Sequence, residues 1–432
     1  MPIKKKFLML AAALMQVGAM AVAQSIPVLE TGKDMPAEWI DKTTGHRVIR
    51  LVNRPGTTNG SFYFNNYCFV PQSGGKGDLM IFSGSGNGPD GKGPATPAPP
   101  AGTPGARFGG GNHLFTINLK TKEIKQLTFG RRGGGEMVCP KTGEAFFQTR
   151  DSVFAVSAIT GKERLVCVLD TSFHGRVSTV NADGTYLAAV QSMGTTERDI
   201  TRQYPEKSGY FNRIYDAHIE HRLYSINTAT GAVKEIHREN EWTNHLLFSP
   251  IDPNILSYCH EGPWQKNDRI WNINIQTNHY ALMHARTVIN EIAGHEFFGI
   301  GGQHEWFDLQ KPIGKTFYLA AFNMKTGKED RCYQMERNEW SIHFNVTKDE
   351  KLFCGDGGDP GQVAKAPDGQ YIYLFRPNGD RLVSEKLVNM KNHTYKLEPN
   401  VHFSPDAKWV IFNGNFEGTR QIYAVEVARY KS

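Results

Sequence analysis

Short apolar strands and polar turns alternate along almost the whole chain, and one phrase recurs seven times. Each copy begins with a strand of alternating apolar character, and usually a turn of small polar residues leads from it into a second strand. The seven copies begin at His113, Val153, Arg222, Arg269, Phe317, Tyr371 and Gln421. A repeat of this length is typical of a protein built as an array of similar units.

A further apolar strand precedes each copy of the phrase. These strands begin at Asp78, Glu144, Tyr186, Ile255, Trp306, Leu352 and Trp409. Turns rich in Ser, Pro, Asp and Gly introduce several of them, at 182–184, 249–252 and 404–406. Strand, turn, strand, turn and strand, repeated seven times, predicts an all-β fold, a seven-bladed β-propeller of four-stranded blades.

The two ends of the chain are predicted to meet in one blade. The last copy, from Gln421, runs nearly to the C-terminus and lacks an outer strand. Segment 46–52 near the N-terminus has the pattern of a strand and can supply it. This N-terminal strand is expected to close the ring and to remove the exposed sheet edges.

Two insertions interrupt the repeat within a single predicted propeller domain at 24–432. Residues 83–112 are rich in Gly, Pro and Ala and are predicted to form a mobile loop. Residues 193–221 are charged and contain the aromatic residues Tyr204, Tyr210, Phe211 and Tyr215. The second insertion falls between strands of one blade, where it either caps the central channel or forms a surface excursion.

The first 23 residues predict export. Three lysines at 4–6 precede a mainly apolar run at 7–20, and residues 21–23 form a small-x-small cleavage site. The run is too short to span a membrane, and no later stretch offers about 18 apolar residues. We therefore predict a signal peptide at 1–23 and an exported, periplasmic protein without a membrane span.

Charge and cysteine spacing exclude several classes of function. The formal net charge of +6 falls to about +3 without the three leader lysines, which is compatible with an acidic substrate. No basic block is interleaved with aromatic residues, so nucleic acid is not an expected partner. The cysteines form no C-x-x-C pair, which argues against zinc ribbons and thioredoxin-like sites and predicts buried free thiols. They are Cys68, Cys139, Cys167, Cys259, Cys332 and Cys354.

Histidines recur where propellers usually place functional residues, on the innermost strands at one mouth of the central channel. His245, His295, His343 and His402 lie at or within the predicted innermost strands of four successive blades. His260 ends the second strand of the blade that carries His245. Packing alone explains such a ring poorly, so this mouth is the candidate site.

Several segments around these histidines resemble the oligogalacturonate lyases of polysaccharide lyase family 22. They are residues 242–263, with the motif Cys-His-Glu-Gly-Pro, and residues 294–298, 354–360 and 410–418. The resemblance runs over most of the mature chain and is strongest at 222–418. It implies a seven-bladed propeller that holds a divalent metal, typically manganese, and cleaves uronate-containing oligosaccharides by β-elimination.

The resemblance also implies roles for individual residues. His295 matches a metal-binding histidine, His245 the general base, and Arg222 the arginine beside that base. β-Elimination needs a base that reaches the C5 proton of a uronate, and positive charge that neutralises the substrate carboxylate. Histidine is suited to the first task, and a divalent metal and arginine to the second.

The chain departs from the family at one metal-binding motif. Where the family carries Gln-x-x-His-Pro-His, this chain has Tyr395, Glu398 and Asn400 at the three ligand positions. Oxygen atoms of glutamate and asparagine suit manganese, and also calcium or magnesium. We therefore expect His295, Glu398 and Asn400 to hold the metal. The expected substrate is an acidic oligosaccharide that contains galacturonate or a related uronate.

Further histidines are candidates for substrate binding, namely His260, His343, His393 and His402. Each position in the predicted site also has a structural interpretation. His245 can be a hydrogen-bonded histidine between blades, Arg222 one half of a rim salt bridge, and Glu398 an acceptor of backbone N–H groups.

Two other functions remain open from the sequence. One is a non-catalytic periplasmic propeller that binds a glycan or a protein partner. The other is a propeller glycoside hydrolase, which needs two carboxyl groups about 5–9 Å apart. Its candidate carboxylates are Glu296, Asp356, Asp359 and Glu398. The sequence does not predict an oligomeric state.

Overall fold

The structure is a computed structural model that describes residues 25–93, 112–129, 134–362 and 365–431. The described chain is rich in β-strands and contains two short α-helices, so the predicted all-β class is confirmed. The predicted signal peptide at 1–23 and most of the predicted loop at 83–112 lie outside the described residues.

The two ends of the chain form one six-stranded sheet, here named the closing sheet. In spatial order its strands are Val28–Leu29, Glu38–Asp41, His46–Arg50, Gln421–Arg429, Trp409–Gly414 and His402–Phe403. The third and fourth pair antiparallel, with Val48 opposite Val425, and both valines are buried. This pairing confirms the predicted contact between an N-terminal strand and the last strand, and two further N-terminal strands extend the sheet.

Four sheets follow in chain order. Sheet 1 contains Asn59–Gly60, Phe69–Val70, Leu79–Gly84, His113–Asn118 and Ile124–Gln126. Sheet 2 contains Gly134–Cys139, Glu144–Thr149, Ser152–Ser157 and Glu163–Val168. Sheet 3 contains Arg176–Val180, Tyr186–Ser192, His221–Asn227 and Val233–Glu239. Sheet 4 contains Thr243–Phe248, Ile255–His260, Ile270–Asn274 and Tyr280–Leu282.

Sheet 5 has eight strands in two halves. The first half contains Ile292–Phe298, His304–Gln310, Phe317–Asn323 and Lys328–Gln334. The second half contains Phe344–Val346, Phe353–Gly355, Tyr371–Asn378 and Arg381–Asn389. One parallel pairing, Gln334 with Arg381, joins the outer strands of the two halves. Within each half, consecutive strands pair antiparallel, as they do in sheets 2 to 4.

The repeated sequence phrase corresponds to the third strand of each four-stranded unit. The copy at Val153 lies in the third strand of sheet 2, and the copy at Phe317 begins the third strand of sheet 5. Apolar residues of these strands pack against the strand before them. Phe82 stacks on Phe115, with ring centroids 5.4 Å apart, in a core that sheet 1 shares with its neighbours.

The insertion at 193–221 folds into two helices between the second and third strands of sheet 3. The first, Glu197–Gln203, begins with a capping box formed by Thr196 and Asp199. The second is Lys207–Asp216. Neither helix in the described part of the chain is long and apolar enough to cross a membrane. Two single-turn 3₁₀ helices, Trp264–Lys266 and Arg337–Glu339, complete the described helices.

The second helix of this insertion packs beside the inner strand of sheet 4. Ile214 forms a small apolar cluster with Ile219 and Trp242. The ring of Tyr215 lies so close to Gly262 that a Cβ atom there would approach it to 2.6 Å. Gly262 also has a φ of +133°, so both the space and the backbone favour glycine. The insertion therefore packs against the segment before the inner strand and the segment after the second strand of sheet 4.

All six cysteines are free thiols, as predicted, and five of them are buried. Cys332 is exposed, contrary to the prediction of burial. It lies on the outer strand Lys328–Gln334, which faces solvent along most of its length.

Three residues at or just before inner strands have a left-handed backbone conformation. His245, His295 and Asn400 have φ values of +48°, +47° and +51°. His245 and His295 lie at register irregularities between the first and second strands of sheets 4 and 5. Such bulges re-aim side chains, and non-glycine residues with positive φ cluster at functional sites. The backbone conformation therefore indicates a functional site at the mouth where the inner strands begin.

His304 joins an outer strand and a turn of sheet 5 through carboxylates on both sides of its ring. Its Nδ1 lies 2.7 Å from Glu350 and its Nε2 lies 2.9 Å from Asp330. The hydrogen bond with Glu350 is the main cause that raises the pKa of His304 above its ordinary value, and burial opposes it. His304 therefore acts in the fold as a cation between two carboxylates.

We predict that the contact of His304 with its two carboxylates stabilises the protein less at alkaline pH. Because its folded pKa is raised, His304 stabilises the fold fully below its unfolded pKa of about 6.5. That contribution is lost as the pH rises through the folded pKa. Between about pH 6 and pH 9, the melting temperature of the wild type should fall more steeply than that of His304→Gln. His284, held similarly by Glu291 and Glu329, is common to both proteins. Equal slopes would contradict the prediction.

Candidate functional site

Two histidines held by carboxylates lie side by side at the mouth where the inner strands begin. Asp308 binds Nδ1 of His295 at 2.9 Å, and Asp356 binds Nδ1 of His343 at 2.6 Å. The two imidazole rings are T-shaped, with centroids 5.3 Å apart. The strand register pairs Gly294 with Asp308, which places the aspartate beside His295. A carboxylate on one nitrogen fixes the ring and directs the other nitrogen, an arrangement common around metal-binding histidines.

Asp308 also favours the charged form of His295. Burial acts to lower the pKa of His295, but the negative charge of Asp308 raises it above its ordinary value. His343 is fully buried, and its backbone N–H also donates to Asp356 at 3.2 Å. Both rings are therefore rigidly held next to negative charge.

Tyr63 and Phe64, between the first two strands of sheet 1, cover these histidines. Phe64 stacks on His343 with ring centroids 4.6 Å apart, and the Tyr63 hydroxyl lies 3.3 Å from His343 Nε2. The ring centroids of Tyr63 and His245 are 6.4 Å apart. Burial, with a smaller effect of Glu398, raises the pKa of Tyr63 well above its ordinary value. Tyr63 is therefore a protonated hydroxyl between His245 and His343.

Glu398 and Asn400 reach the same region from the segment before the last inner strand. Glu398 Oε2 lies 3.9 Å from His343 Nε2, and the glutamate side chain is 43% exposed. Asn400 Oδ1 accepts the N–H of Phe64 at 3.1 Å, and its Nδ2 donates to the carbonyl of Glu398 at 3.0 Å. Tyr395 donates its hydroxyl to a backbone carbonyl at 3.1 Å. The structure brings Glu398 to the histidines, whereas the other two side chains hold loops in place.

His245 reaches the mouth from the bulge in the inner strand of sheet 4. Its Nε2 lies 3.4 Å from Glu261 Oε2, and the histidine side chain is 30% exposed. Glu261 follows the second strand, where its N–H donates to the carbonyl of Trp242 at 2.7 Å. Trp264 Nε1 donates to the other oxygen of Glu261 at 3.0 Å. His245 is thus an accessible imidazole oriented by a buried carboxylate.

A buried guanidinium, that of Arg269, holds Glu261 and a second glutamate, Glu296. Its Nη1 donates to Glu261 at 3.1 Å and its Nε donates to Glu296 at 3.1 Å. Burial acts to raise the pKa of both carboxyl groups, but Arg269 holds both pKa values below the ordinary range. Both glutamates therefore stay charged, and Glu261 can stabilise a protonated His245.

Arg222 and His260 lie away from this cluster. Arg222 is on the third strand of sheet 3, where its described contacts are with Glu220 at 2.6 Å and Glu235 at 3.6 Å. First strands line the mouth, so a residue that opens a third strand is set back from it. His260 binds Glu239 at 3.0 Å and stacks on a tryptophan ring. The structure does not bring either residue to His245.

His393 and His402 are packing residues by their geometry. His393 donates through Nε2 to the carbonyl of Leu397 at 2.6 Å, and its Nδ1 accepts the N–H of Asn415 at 3.2 Å. His402 donates through Nε2 to the carbonyl of Phe62 at 3.0 Å. Burial lowers the pKa of both histidines, that of His402 to about 4. Both rings are therefore neutral and engaged with backbone.

Four residues that organise the site are absent from the set predicted from the sequence, namely Tyr63, Glu261, Arg269 and Asp308. The sequence pattern could have identified Asp308, because it is the one charged residue in the apolar run at 306–309. A charged residue in a buried strand needs a partner. Arg269 opens a buried strand and had the same signal. Tyr63 had none.

The carboxylates that a glycoside hydrolase needs are engaged with other groups. Glu296 binds Arg269, and Asp356 binds His343. Asp359 accepts two backbone N–H groups at 2.7 and 3.1 Å. The geometry therefore does not favour a pair of free carboxyl groups.

Two sets of side chains in the described residues carry donor atoms that suit a divalent cation, and in the second set all three ligand atoms lie close together. The first set is His295, His343 and Glu398. The second set is His245, Cys259 and Glu261, whose ligand atoms lie within 4.8 Å of one another.

The sequence is similar to known proteins over most of its length. A family model described as oligogalacturonate lyase matches residues 103–430. Oligogalacturonide lyase from Pectobacterium atrosepticum is 24% identical over 409 residues, which cover 90% of this chain and 95% of that protein. Oligogalacturonate lyase from Dickeya dadantii is 22% identical over 409 residues, with the same coverage of both chains.

The fold is similar to that of two solved structures. An oligogalacturonate lyase in complex with manganese has a TM-score of 0.73 at 21% identity, covering 93% of this chain and 99% of that one. An oligogalacturonate lyase from Vibrio parahaemolyticus has a TM-score of 0.70 at 21% identity, covering 91% and 97%. These likenesses support a propeller-like fold.

We predict that Arg269 is essential for stability, whereas Arg222 is not. Arg269→Met leaves Glu261 and Glu296 buried without a cation, so the free energy of unfolding should fall by roughly 3–5 kcal/mol. Arg222→Met removes a partly exposed ion pair at the surface and should change the free energy of unfolding far less. Urea unfolding measures the free energy of unfolding of both variants. Equal losses in the two variants would show that the buried cluster contributes no more to stability than the surface ion pair.

Proposed function

The chain belongs to the oligogalacturonate lyase family, and on that premise we propose that it cleaves uronate-containing oligosaccharides by β-elimination. The reaction removes the C5 proton of a uronate and breaks the bond from C4 to the glycosidic oxygen. It leaves a 4,5-unsaturated sugar and a second sugar, whose released oxygen takes up a proton to become a hydroxyl group. One observation carries the assignment. An accessible histidine oriented by a carboxylate, His245, lies at the same mouth as two further carboxylate-held histidines, His295 and His343.

His245 is the general base of the proposed reaction. With its Nε2–H directed at Glu261, 3.4 Å away, the ring presents the lone pair of Nδ1 to the C5 proton. When Nδ1 takes that proton, the charged Glu261 stabilises the imidazolium. Arg269 and Trp264 keep the carboxylate in position.

We place the divalent cation of the family among the donors of His295, His343 and Glu398, on the chemistry of these side chains and the spacing of the last two. Two ligands about 2.1 Å from one ion lie at most about 4.2 Å apart. Nε2 of His343 and Oε2 of Glu398 meet this limit at 3.9 Å. Imidazole and carboxylate together suit manganese, the ion bound in one similar solved structure. When bound, the cation supplies positive charge that neutralises the substrate carboxylate.

His343 takes the ligand position that the family resemblance assigned to Asn400. Both groups of the Asn400 amide are already hydrogen-bonded within the protein. His343 instead directs its Nε2 to Glu398 and is oriented by a carboxylate. Arg222, paired with Glu220 on a third strand, has no part in this mechanism.

The proposed enzyme is an exported seven-bladed propeller. Each half of sheet 5 has the strand order of sheets 2 to 4, so the two halves count as two blades beside sheets 1 to 4 and the closing sheet. The domain proposed for this fold is residues 24–432. Export follows from the leader pattern at 1–23, and places the enzyme where acidic oligosaccharides from outside the cell arrive.

We predict that His245→Ala abolishes most of the lyase activity. Loss of a general base lowers kcat/KM by about 10²–10⁴-fold. The measurement is the rise in ultraviolet absorbance of the unsaturated product when oligogalacturonides or other oligouronides are incubated with enzyme and manganese. His279→Ala, in an exposed turn of the same sheet, is the matched control and should keep full activity.

Two results would contradict this assignment. Full activity of His245→Ala would remove the residue from the role of base. Absence of product with every oligouronide, combined with tight glycan binding, would instead favour a non-catalytic propeller.

We predict that His343→Ala removes manganese binding. Elemental analysis and titration of the apoprotein with manganese should show loss of the bound ion, because a nitrogen ligand is missing. Asp356→Asn, which only loosens the ring, should weaken the affinity by about 10–100-fold. Asn400→Ala should retain the ion. Loss of manganese in Asn400→Ala but not in His343→Ala would contradict the prediction. It would show that Asn400, at the position given by the family motif, is the ligand.

A further inference from the structure

A cysteine beside the proposed base completes a second set of metal ligands. The ligand atoms of His245, Cys259 and Glu261 all lie within 4.8 Å of one another. Cys259 is buried on the second strand of sheet 4, directly opposite Asn244. The bulge that follows Asn244 contains His245, which brings the imidazole next to the sulfur.

The spacing of these atoms fits a tetrahedral ion. Zinc bonds of about 2.0–2.3 Å to nitrogen, oxygen and sulfur, at tetrahedral angles, place the ligand atoms about 3.3–3.7 Å apart. Nε2 of His245 and Oε2 of Glu261 are already 3.4 Å apart. The other oxygen of Glu261 is held by Arg269 and Trp264, which leaves Oε2 for an ion. Outer partners of this kind orient metal ligands in proteins.

The surrounding charge favours a dication bound together with a thiolate. Glu261 and Glu296 share the one positive charge of Arg269, so the cluster has one net negative charge. Burial raises the pKa of Cys259 well above its ordinary value, so the thiol is protonated without a metal. When a sulfur–metal bond forms, the S–H bond breaks and the proton goes to solvent. The thiolate and the dication then bring the cluster to neutrality.

We propose that His245, Cys259 and Glu261 form an inhibitory site for thiophilic dications such as zinc and cadmium. Thiolate selects soft or borderline ions, whereas the set of His295, His343 and Glu398 has the nitrogen and oxygen donors that suit manganese. The 30% exposure of the His245 side chain gives the ion access from the mouth. The chain thus has two cation sites of opposite effect.

The inhibition rests on the proposed function, because it requires His245 to be the base. The dication takes the place of the proton between Nε2 and Glu261, and that proton moves to Nδ1. Nδ1 then has no lone pair with which to remove the C5 proton. Glu261 is then a metal ligand and no longer stabilises an imidazolium. Zinc should therefore inhibit the lyase even when manganese saturates its own site.

The binding test uses cadmium with the purified full chain. One equivalent of cadmium should produce the ultraviolet charge-transfer band of a cadmium–thiolate bond. Cys259→Ser should lose the band and bind cadmium more than about 100-fold less tightly, since loss of a ligand exceeds the roughly 10–100-fold effect of an outer partner. Cys139→Ser is the matched control, because both cysteines are fully buried. Thermal unfolding verifies that each variant is folded.

The activity test separates this site from the proposed function. With manganese present, zinc should inhibit the wild type and Cys139→Ser, whereas Cys259→Ser should resist it. Equal zinc inhibition of all three proteins, or a cadmium band that persists in Cys259→Ser, would overturn the inhibitory site. Another outcome is a protein that has no lyase activity and still shows the cadmium band that depends on Cys259. That result would disprove the proposed lyase reaction and its inhibition, but it would confirm the metal site.

Discussion

The buried contact of Arg269 with Glu261 and Glu296 is the interaction on which the proposed active site depends. Removing three charges from water is costly, and only their pairing and hydrogen bonds offset that cost. Arg269 belongs to sheet 4 and Glu296 to sheet 5, so the contact also joins two neighbouring sheets. It fixes Glu261, and through Glu261 it fixes His245. The proposed base is therefore positioned by the packing of one sheet against the next.

A histidine held by a carboxylate is a device that the fold uses three times in succession. The pairs are His245 with Glu261, His295 with Asp308, and His343 with Asp356. In each pair the histidine comes from or just before an inner strand, and the carboxylate comes from or just after the second strand of the same unit. Equivalent positions in a repeated unit have equivalent geometry, and inner strands converge on one mouth. Three copies of a local arrangement thereby become one site.

The fold was largely predictable, because alternation of apolar residues and the turns between strands are local signals. Every copy of the repeated phrase lies in a third strand, and the N-terminal strand pairs with the last one. The helices at 197–203 and 207–216 were not predicted, since their short polar pattern does not differ from that of a charged loop. Within the site, the resemblance assigned His295 and Glu398 to one metal, and in the structure both lie next to the same histidine, His343.

The strand array, the family and the level of the fold at which histidines gather all follow from the amino-acid sequence alone. Those properties depend on residues close together in the chain or on motifs of a few residues. Two other properties come from the packing of the folded chain. Arg269, and not Arg222, contacts the carboxylate that holds His245, and Asn400 is hydrogen-bonded within the protein while His343 faces Glu398. These outcomes depend on which sheets are neighbours and on the direction of each side chain at a bulge. Contacts between residues far apart in the chain leave no pattern among neighbouring residues of the sequence. They can therefore be identified only in the folded structure.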